Sequence, residues 1–175
     1  MDKAAQRLFF ALWPEDSCRT ALAAAMRHVQ EKIPARWIKP ENLHITLAFL
    51  GNVDAGQRGR LASLAGDIQA QAGEFLLDRI EHWRKPQVLC LTPSTAAPML
   101  DQLAADLTIR LKDAGYQLDQ RPFRAHLTLA RKATSLPEGI RLERPIVWQS
   151  TAFVLVESTR NGQGSDYTVL ESWPL

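Results

Sequence analysis

The sequence predicts an α+β fold with a mainly antiparallel sheet. Short segments rich in branched and aromatic residues alternate with longer segments of helical apolar spacing, but the regular strand–helix–strand spacing of a parallel sheet is missing. The order of the segments in the first half recurs in the second half. No linker or low-complexity segment interrupts the 175 residues. We therefore expect one domain over residues 1–175, or two small lobes that share a cleft.

In the first half, branched and aromatic runs predict strands, and apolar residues three or four positions apart predict helices. Aspartate or serine favours a helix start, and glycine followed by asparagine favours the end of a strand. The predicted elements are a strand Arg7–Trp13, a helix from Asp16 or Ser17 to about residue 32, an extended piece Trp37–Lys39, a strand Leu43–Leu50 ended by Gly51-Asn52, and a helix from about residue 54 to about residue 72.

The same signals predict the elements of the second half, where the turn-forming Lys85-Pro86 separates two strands and a glycine ends a long amphipathic helix. A glycine-rich turn at residues 161–164 joins the last two strands as a hairpin. The predicted elements are strands Phe75–Trp83 and Val88–Thr92, a helix Ala97–Ala114 ended by Gly115, a strand Leu127–Arg131, and strands Ile146–Glu157 and Tyr167–Trp173.

Composition and charge exclude several classes of protein. Apolar residues make up 46% of the chain and charged residues 23%, which is typical of a soluble globular protein. The N-terminal apolar run ends at Pro14, too early for a signal peptide, and no apolar run is long enough to span a membrane, so we expect a cytoplasmic protein. Cys18 and Cys90 lack metal-ligand spacing and are expected to be reduced thiols. A net charge of +2 argues against extensive binding to a nucleic-acid backbone, but it allows a small anion in a focused pocket.

One short motif occurs twice. His44-Ile45-Thr46-Leu47-Ala48 returns as His126-Leu127-Thr128-Leu129-Ala130. Because side chains alternate between the faces of a strand, each histidine and the threonine two residues later point to the same face, and the intervening apolar residues point to the core. Two such strands in one cleft would present two imidazoles and two hydroxyls.

This set of groups suits hydrolysis of a cyclic phosphodiester. In-line attack by water needs a base on the entering side and an acid on the leaving-oxygen side, and imidazole can serve as either near neutral pH. The threonine hydroxyls can donate hydrogen bonds to phosphate oxygens. A metal site fits less well, because no Asp, Glu or Cys accompanies the histidines in the matching strands. We therefore expect no metal.

The chain resembles the bacterial and archaeal RNA 2′,3′-cyclic phosphodiesterases, once named 2′-5′ RNA ligases, of the two-histidine phosphoesterase superfamily. The resemblance rests on the paired His-x-Thr motifs and extends over almost the entire chain. The matching segments are RLFFAL at Arg7–Leu12, WIKPENLHITLAFLG at Trp37–Gly51, RPFRAHLTLAR at Arg121–Arg131, and Tyr167–Leu170 with Trp173.

The resemblance implies a bilobal fold of two pseudo-symmetric, mainly antiparallel sheets that face a central cleft, with helices outside. It implies no cofactor. It implies hydrolysis of RNA 2′,3′-cyclic phosphate ends, most often to 2′-phosphates, and a slow reverse 2′-5′ ligation. His44 and His126 then form the acid–base pair, while Thr46, Thr128 and Arg131 bind phosphate. We take His126 as the base and His44 as the acid as a working hypothesis.

Other residues have less specific patterns. Arg131 lies five residues after His126, so strict alternation would turn it to the opposite face unless a bulge or its length brings it round. Phe9, Phe49 and Trp37 could stack on a base but fit the core better, as does Tyr167. We interpret Arg124 and Lys132 as solvated charges, and His28 and His82 as structural or surface residues.

Alternative functions keep the same motif. The substrate could be a small cyclic or 2′-5′ nucleotide, such as ADP-ribose cyclic phosphate or a 2′-5′ oligoadenylate, because the motif contacts only phosphate. A non-catalytic module that binds RNA ends is a further alternative. We expect the partners to be RNA 3′ ends or small nucleotides with a cyclic phosphate, no membrane, and a monomeric protein.

Overall fold

A computed structural model describes residues 5–162 and 164–175. In this part of the chain it has three α-helices and ten β-strands, with short 3-10 turns at Pro40–Asn42 and Ala55–Gln57. The helices are α1 (Asp16–Gln30), α2 (Arg58–Gly66) and α3 (Pro98–Asp113). The strands are β1 (Ala5–Leu12), β2 (Arg36–Trp37), β3 (Ile45–Asp54), β4 (Gly73–Leu77), β5 (Arg79–Trp83), β6 (Val88–Thr92), β7 (Leu127–Arg131), β8 (Ile146–Ser150), β9 (Ala152–Asn161) and β10 (Gly164–Pro174).

Eight strands form one sheet in the order β10-β9-β1-β3-β7-β6-β5, with β2 also paired to β7. The sheet consists of two antiparallel halves, β10-β9-β1-β3 and β5-β6-β7-β2. The halves meet where Ile45 of β3 pairs with Leu127 of β7. Strands β4 and β8 form a separate two-stranded antiparallel sheet. The predicted α+β class with mainly antiparallel strands is confirmed.

The helices pack their predicted apolar stripes into one core. On α1, Leu22, Met26 and Val29 are buried. On α3, the four predicted leucines are fully buried together with residues from both halves of the sheet. These leucines are Leu100, Leu103, Leu107 and Leu111. The predicted side-chain cap of α1 is wrong, because Glu15 occupies the N-cap position and no side chain caps the helix.

Strand β3 and helix α2 differ from the sequence prediction. Gly51 does not end β3, because its φ of +72° fits a bulge after which the strand continues to Asp54. The Asp54 carboxylate then accepts a 2.6 Å hydrogen bond from the backbone N–H of Gly56 and caps a 3-10 turn. Because this turn occupies the residues up to Gln57, α2 begins later than predicted, and it ends earlier, at Gly66.

Two predicted long strands are each divided into two. The segment Phe75–Trp83 breaks at Asp78, whose carboxylate accepts hydrogen bonds from the N–H and hydroxyl of Ser94. The segment Ile146–Glu157 breaks at Thr151, and its first part pairs with β4 rather than with the final strand. The hairpin therefore consists of β9 and β10. Gln163, in the predicted turn of that hairpin, lies outside the described residues.

Cys18 and Cys90 are free thiols, as predicted, and both are buried. Burial raises the pKa of the Cys18 thiol to about 11 and that of Cys90 to about 12, so neither is a reactive thiolate near neutral pH. None of the helices in residues 5–162 and 164–175 is long and apolar enough to cross a membrane. The cytoplasmic location, the single-domain organisation and the monomeric state stay predictions.

We expect Leu107→Ala to lower the free energy of unfolding by about 2–5 kcal/mol, because it leaves a cavity beneath α3. The leucine is 0% exposed. Urea denaturation measures the change. The matched control is Ile109→Ala on the same helix, where the side chain is 57% exposed and the expected change is within about 0.5 kcal/mol. Equal losses in the two variants would contradict this description of the core.

Candidate active site

Both histidine motifs carry a β-bulge at the same position. The register of β3 against β1 skips Leu47, and the register of β7 against β6 skips Leu129. One extra residue in a strand reverses the alternation of side chains beyond it. In both motifs the residues after the threonine accordingly show two consecutive buried positions and then an exposed one.

The exposed residue after each bulge lies on the same face as the threonine. In β3 this residue is Phe49, which is 42% exposed, and in β7 it is Arg131. Strict alternation would have turned Arg131 away from His126, so the bulge is what brings it back. Phe49 and Arg131 are therefore equivalent positions in the two halves of the protein.

The two motifs adjoin at the junction of the sheet. His44 directly precedes Ile45, and His126 directly precedes Leu127, the two residues that pair across the halves. Because β3 and β7 run antiparallel from this pair, each histidine lies toward the threonine of the other motif. Alternation turns both histidines and both threonines away from the buried pair and to a common face.

Backbone carbonyls orient the two imidazoles in the same way. Nδ1 of His44 donates to the carbonyl oxygen of Asn42 at 2.6 Å, and Nδ1 of His126 donates to that of Arg124 at 2.7 Å. A carbonyl only accepts, so Nδ1 carries the proton and Nε2 is left for proton transfer. Nε2 of His44 lies 3.1 Å from the hydroxyl of Thr46.

Burial keeps both imidazoles neutral in the free protein. The pKa of His44 is lowered from 6.5 to about 4, chiefly by burial, with smaller contributions from repulsion by His126 and Arg131, and the hydrogen bond to Asn42 opposes this only in part. The pKa of His126 is also lowered, chiefly by burial and then by the charges of Arg124 and Arg131. An anion bound between these groups would raise both pKa values, because it stabilises the imidazolium form.

Aromatic rings pack against both imidazoles. The ring of Trp13 stacks on His44 with centroids 5.3 Å apart and planes 11° apart, and Phe9 and Tyr167 contact it at 5.0 and 5.2 Å. Trp83 lies 4.6 Å from His126. These rings remove water from the histidines, which explains the lowered pKa values. Sequence reasoning missed both tryptophans, although each lies at or just beyond the end of a strand.

A network of polar contacts supports the His126 side. The carboxylate of Glu81 accepts hydrogen bonds from Trp83 Nε1 at 2.8 Å and from Thr92 Oγ1 at 3.0 Å, and it forms an ion pair with Arg124. The Arg124 guanidinium also lies 4.7 Å from the centroid of Trp83. The Arg124 side chain is 60% exposed, so it is a surface charge as predicted, although it is also paired with Glu81 and packed on Trp83. Its backbone carbonyl is the group that holds His126.

A cavity of about 550 Å³ opens beside His44. Three predicted site residues line it: His44, Thr46 and Arg131. His126 and Thr128 are outside its lining and lie across the junction. Sequence reasoning missed three further arginines, which come from β1, β2 and β9 and have no motif of their own. They are Arg7, Arg36 and Arg160.

Comparison with known proteins identifies the family. A family model described as LigT like Phosphoesterase matches residues 12–90. An RNA 2′,3′-cyclic phosphodiesterase of Escherichia coli K12 is 32% identical over 174 residues, covering 97% of each chain. The chain belongs to the LigT-like phosphoesterases. The crystal structure of E. coli LigT complexed with 3′-AMP superposes with a TM-score of 0.89 at 30% identity, over 98% of both chains. The crystal structure of TT0787 from Thermus thermophilus superposes with a TM-score of 0.82 at 25% identity, over 97% of both chains.

The remaining predictions for this phosphoesterase have mixed outcomes. Phe9 is buried and Trp37 packs against the core, as predicted, whereas the core assignment of Phe49 is wrong because the bulge turns it into the cavity. Tyr167 both packs on His44 and lines the cavity. Lys132 is exposed, as predicted.

The other two histidines lie outside this site. Nδ1 of His28 lies 3.3 Å from a carboxylate oxygen of Glu143 at the surface, and His82 Nε2 hydrogen-bonds the carbonyl of Ala133 at 2.9 Å. Both are structural or surface residues, as predicted. Within residues 5–162 and 164–175, no three His, Cys, Asp or Glu side chains come together as metal ligands.

We expect the imidazole of His44 to titrate near pH 4 in the free protein and at a higher pH in inorganic phosphate, since a bound anion stabilises its protonated form. NMR of labelled histidines measures this, with the His44→Gln protein assigning the signal. A signal near 6.5 that ignores phosphate would contradict the buried geometry.

Proposed function

We propose that this LigT-like phosphoesterase hydrolyses RNA 2′,3′-cyclic phosphate ends through acid–base catalysis by His44 and His126, without a metal ion, in one two-lobed domain. The observation that carries the proposal is the junction at Ile45 and Leu127, where two identically bulged motifs turn their imidazoles to one face. The relatives from E. coli and Bacillus subtilis, both named RNA 2′,3′-cyclic phosphodiesterase, support the reaction.

The reaction needs no covalent intermediate with the protein. Water attacks phosphorus as one Nε2 takes its proton, and the bond from phosphorus to O3′ breaks as the other Nε2 donates a proton to O3′. The product is a 2′-phosphate with a free 3′-hydroxyl. A 5′-hydroxyl that attacks phosphorus in place of water would give 2′-5′ ligation, because the base takes its proton and the bond to O3′ again breaks as the acid protonates O3′.

We assign His126 as the base and His44 as the acid. The lowered pKa of His44 supports this choice in one respect, since its imidazolium, once formed beside the bound anion, readily gives up its proton to O3′. A substrate whose leaving oxygen needs no protonation tests the assignment. It should restore turnover in His44→Ala but not in His126→Ala, and the reverse pattern would exchange the roles.

Three other side chains complete the proposed site. The hydroxyls of Thr46 and Thr128 donate hydrogen bonds to non-bridging phosphate oxygens, and the guanidinium of Arg131 neutralises the developing charge. The exposed ring of Phe49, equivalent in position to Arg131, offers a face for a nucleobase. E. coli LigT has been crystallised with 3′-AMP, with phosphate and with NADP+, which supports a nucleotide at this site.

A small nucleotide bearing a cyclic phosphate or a 2′-5′ linkage is the second candidate substrate. The observation in its favour is the cavity volume of about 550 Å³, which suits a ligand of nucleotide size. Comparing kcat/KM for a short RNA with that for a nucleoside 2′,3′-cyclic phosphate separates the candidates.

We expect purified protein in EDTA to convert a short RNA with a 2′,3′-cyclic phosphate end to a 2′-phosphate. His44→Ala and His126→Ala should each lower kcat by about 10²- to 10⁴-fold, because each removes one proton-transfer group. Product analysis by chromatography measures both. His28→Ala is the matched control, since His28 lies on α1 outside the site, and it should keep full activity.

Two results would contradict the proposal. Activity that disappears in EDTA would indicate a metal ion. Tight binding of the RNA end without turnover would indicate a binding module, and in that case the histidine variants would change Kd alone.

We expect the alkaline limb of the kcat profile to lie at higher pH than that of kcat/KM. The kcat/KM profile reports the free protein, in which burial lowers the histidine pKa values, so activity falls early as pH rises and the acid loses its proton. In the complex, the anionic phosphate raises the pKa of the acid. Initial rates between about pH 4 and about pH 9 measure both limbs, and coincident limbs would rule out this electrostatic coupling.

A further inference from the structure

The cavity beside His44 contains more positive charge than one cyclic phosphate can neutralise. Four arginines line it, and no aspartate or glutamate does so in the described part of the chain. A cyclic phosphodiester carries a single negative charge, which Arg131 alone balances. The excess is local, because the whole chain has a net charge of only +2. The arginines are Arg7, Arg36, Arg131 and Arg160.

None of these four guanidinium groups forms a salt bridge within residues 5–162 and 164–175. Arg7 has another contact, since its guanidinium lies 4.9 Å from the centroid of the Phe49 ring. By contrast, Arg121 and Arg124, outside the cavity, are paired with Asp119 and Glu81. Carboxylate partners are therefore present near the site, but within the described residues none of them pairs with the four arginines of the cavity.

The placement of Arg36 is the most specific observation. In the pairing of β2 with β7, Arg36 lies directly opposite Arg131. Opposed residues in an antiparallel pair share a face, with Cβ atoms about 5 Å apart, and like charges at such positions are destabilising. Two guanidinium groups at this short distance from each other can each bind the oxygens of a different phosphate group.

The cavity continues past Arg36. A second, smaller space of about 110 Å³ shares Arg36, Arg131 and Tyr167 with it. Lys39 also lines this space, but its ammonium lies 3.8 Å from the Asp166 carboxylate, so the unpaired charge there comes from the two arginines. Arg160, which pairs with Ser165 across the β9–β10 hairpin, lines the larger cavity at the other wall. A ligand with its reacting phosphate at Arg131 thus has a cationic surface on which to place a second phosphate.

We propose that Arg36 and Arg160 form a second phosphate subsite, which binds the phosphate on the 5′ side of the nucleoside that carries the reacting group. This inference rests on the proposed function for the position of the reacting phosphate. The ligand class is a nucleotide with phosphates on both sides of its ribose. The 5′ phosphate can be an internal phosphodiester of RNA or the terminal phosphate of a mononucleotide.

Binding of product-like ligands tests the subsite without requiring turnover. Calorimetry gives Kd for adenosine 2′-monophosphate, for adenosine 2′,5′-bisphosphate, and for the dinucleotide that has an internal phosphodiester and a terminal 2′-phosphate. We expect the second phosphate to tighten binding by about 10- to 100-fold, as one or two charge-assisted hydrogen bonds would. An equal gain for the dinucleotide assigns the subsite to RNA as well as to mononucleotides, and a gain for the bisphosphate alone restricts it to mononucleotides.

Variants show whether these arginines cause the gain. Arg36→Gln and Arg160→Gln should each remove most of it while leaving Kd for the monophosphate within about threefold. Arg110→Gln, on the exposed face of α3, is the control for overall charge and should keep the gain. Because Arg36 opposes a like charge, Arg36→Gln should not lower the unfolding midpoint of the free protein.

The subsite is overturned if all three ligands bind equally well, if the gain survives in both variants, or if Arg36→Gln weakens the monophosphate as much as the bisphosphate. The last result would assign Arg36 to the reacting phosphate. Failure of the proposed function is a separate outcome, seen as absence of turnover of any 2′,3′-cyclic phosphate while the binding pattern persists.

Discussion

The candidate site depends on the residue pair that joins the two halves of the large sheet. Each half of the large sheet is a well-paired antiparallel ladder, but the halves are linked where Ile45 meets Leu127. Both residues are fully buried, so the link is held by packing beneath it as well as by backbone pairing. Because the strands diverge beyond the pair, the residues next to it can face a cleft while their backbones stay fixed. Every polar group of the proposed chemistry is positioned relative to this one contact.

Two physical effects oppose each other around the histidines. Rings such as Trp13 and Trp83 exclude water and penalise the charged imidazole, and the arginines nearby add repulsion. The hydrogen bonds from Nδ1 to backbone carbonyls act in the other direction, but they do not overcome burial. The free protein therefore holds neutral bases in a cationic surrounding. A bound anion would raise both pKa values, so under the proposed function the phosphate to be cleaved also favours the protonated acid that its cleavage needs.

Much of the fold was predictable because its signals are local. The limits of β7, the buried stripe of α3 and the faces of the two motifs follow from side-chain period alone. The bulges were not predictable, because Leu47 and Leu129 continue an ordinary alternating pattern and only pairing with neighbouring strands shows them to be extra residues. That is why the sequence left Arg131 ambiguous and assigned Phe49 to the core. Arg36 and Arg160 were missed for a related reason, since strands distant in the chain bring them to the cavity.

The equivalence of Phe49 and Arg131 has a stereochemical consequence. Two related motifs on either side of a local pseudo-twofold axis would present a small tetrahedral anion with two interchangeable docking poses, and either imidazole could then face the leaving oxygen. An aromatic ring at one of the equivalent positions and a cation at the other remove that degeneracy. The flat, uncharged face suits a base, whereas the guanidinium suits an oxyanion. Under the proposed function, broken symmetry at these two residues would give the ribose a direction in the cleft, and with it the choice of which ester bond is cut.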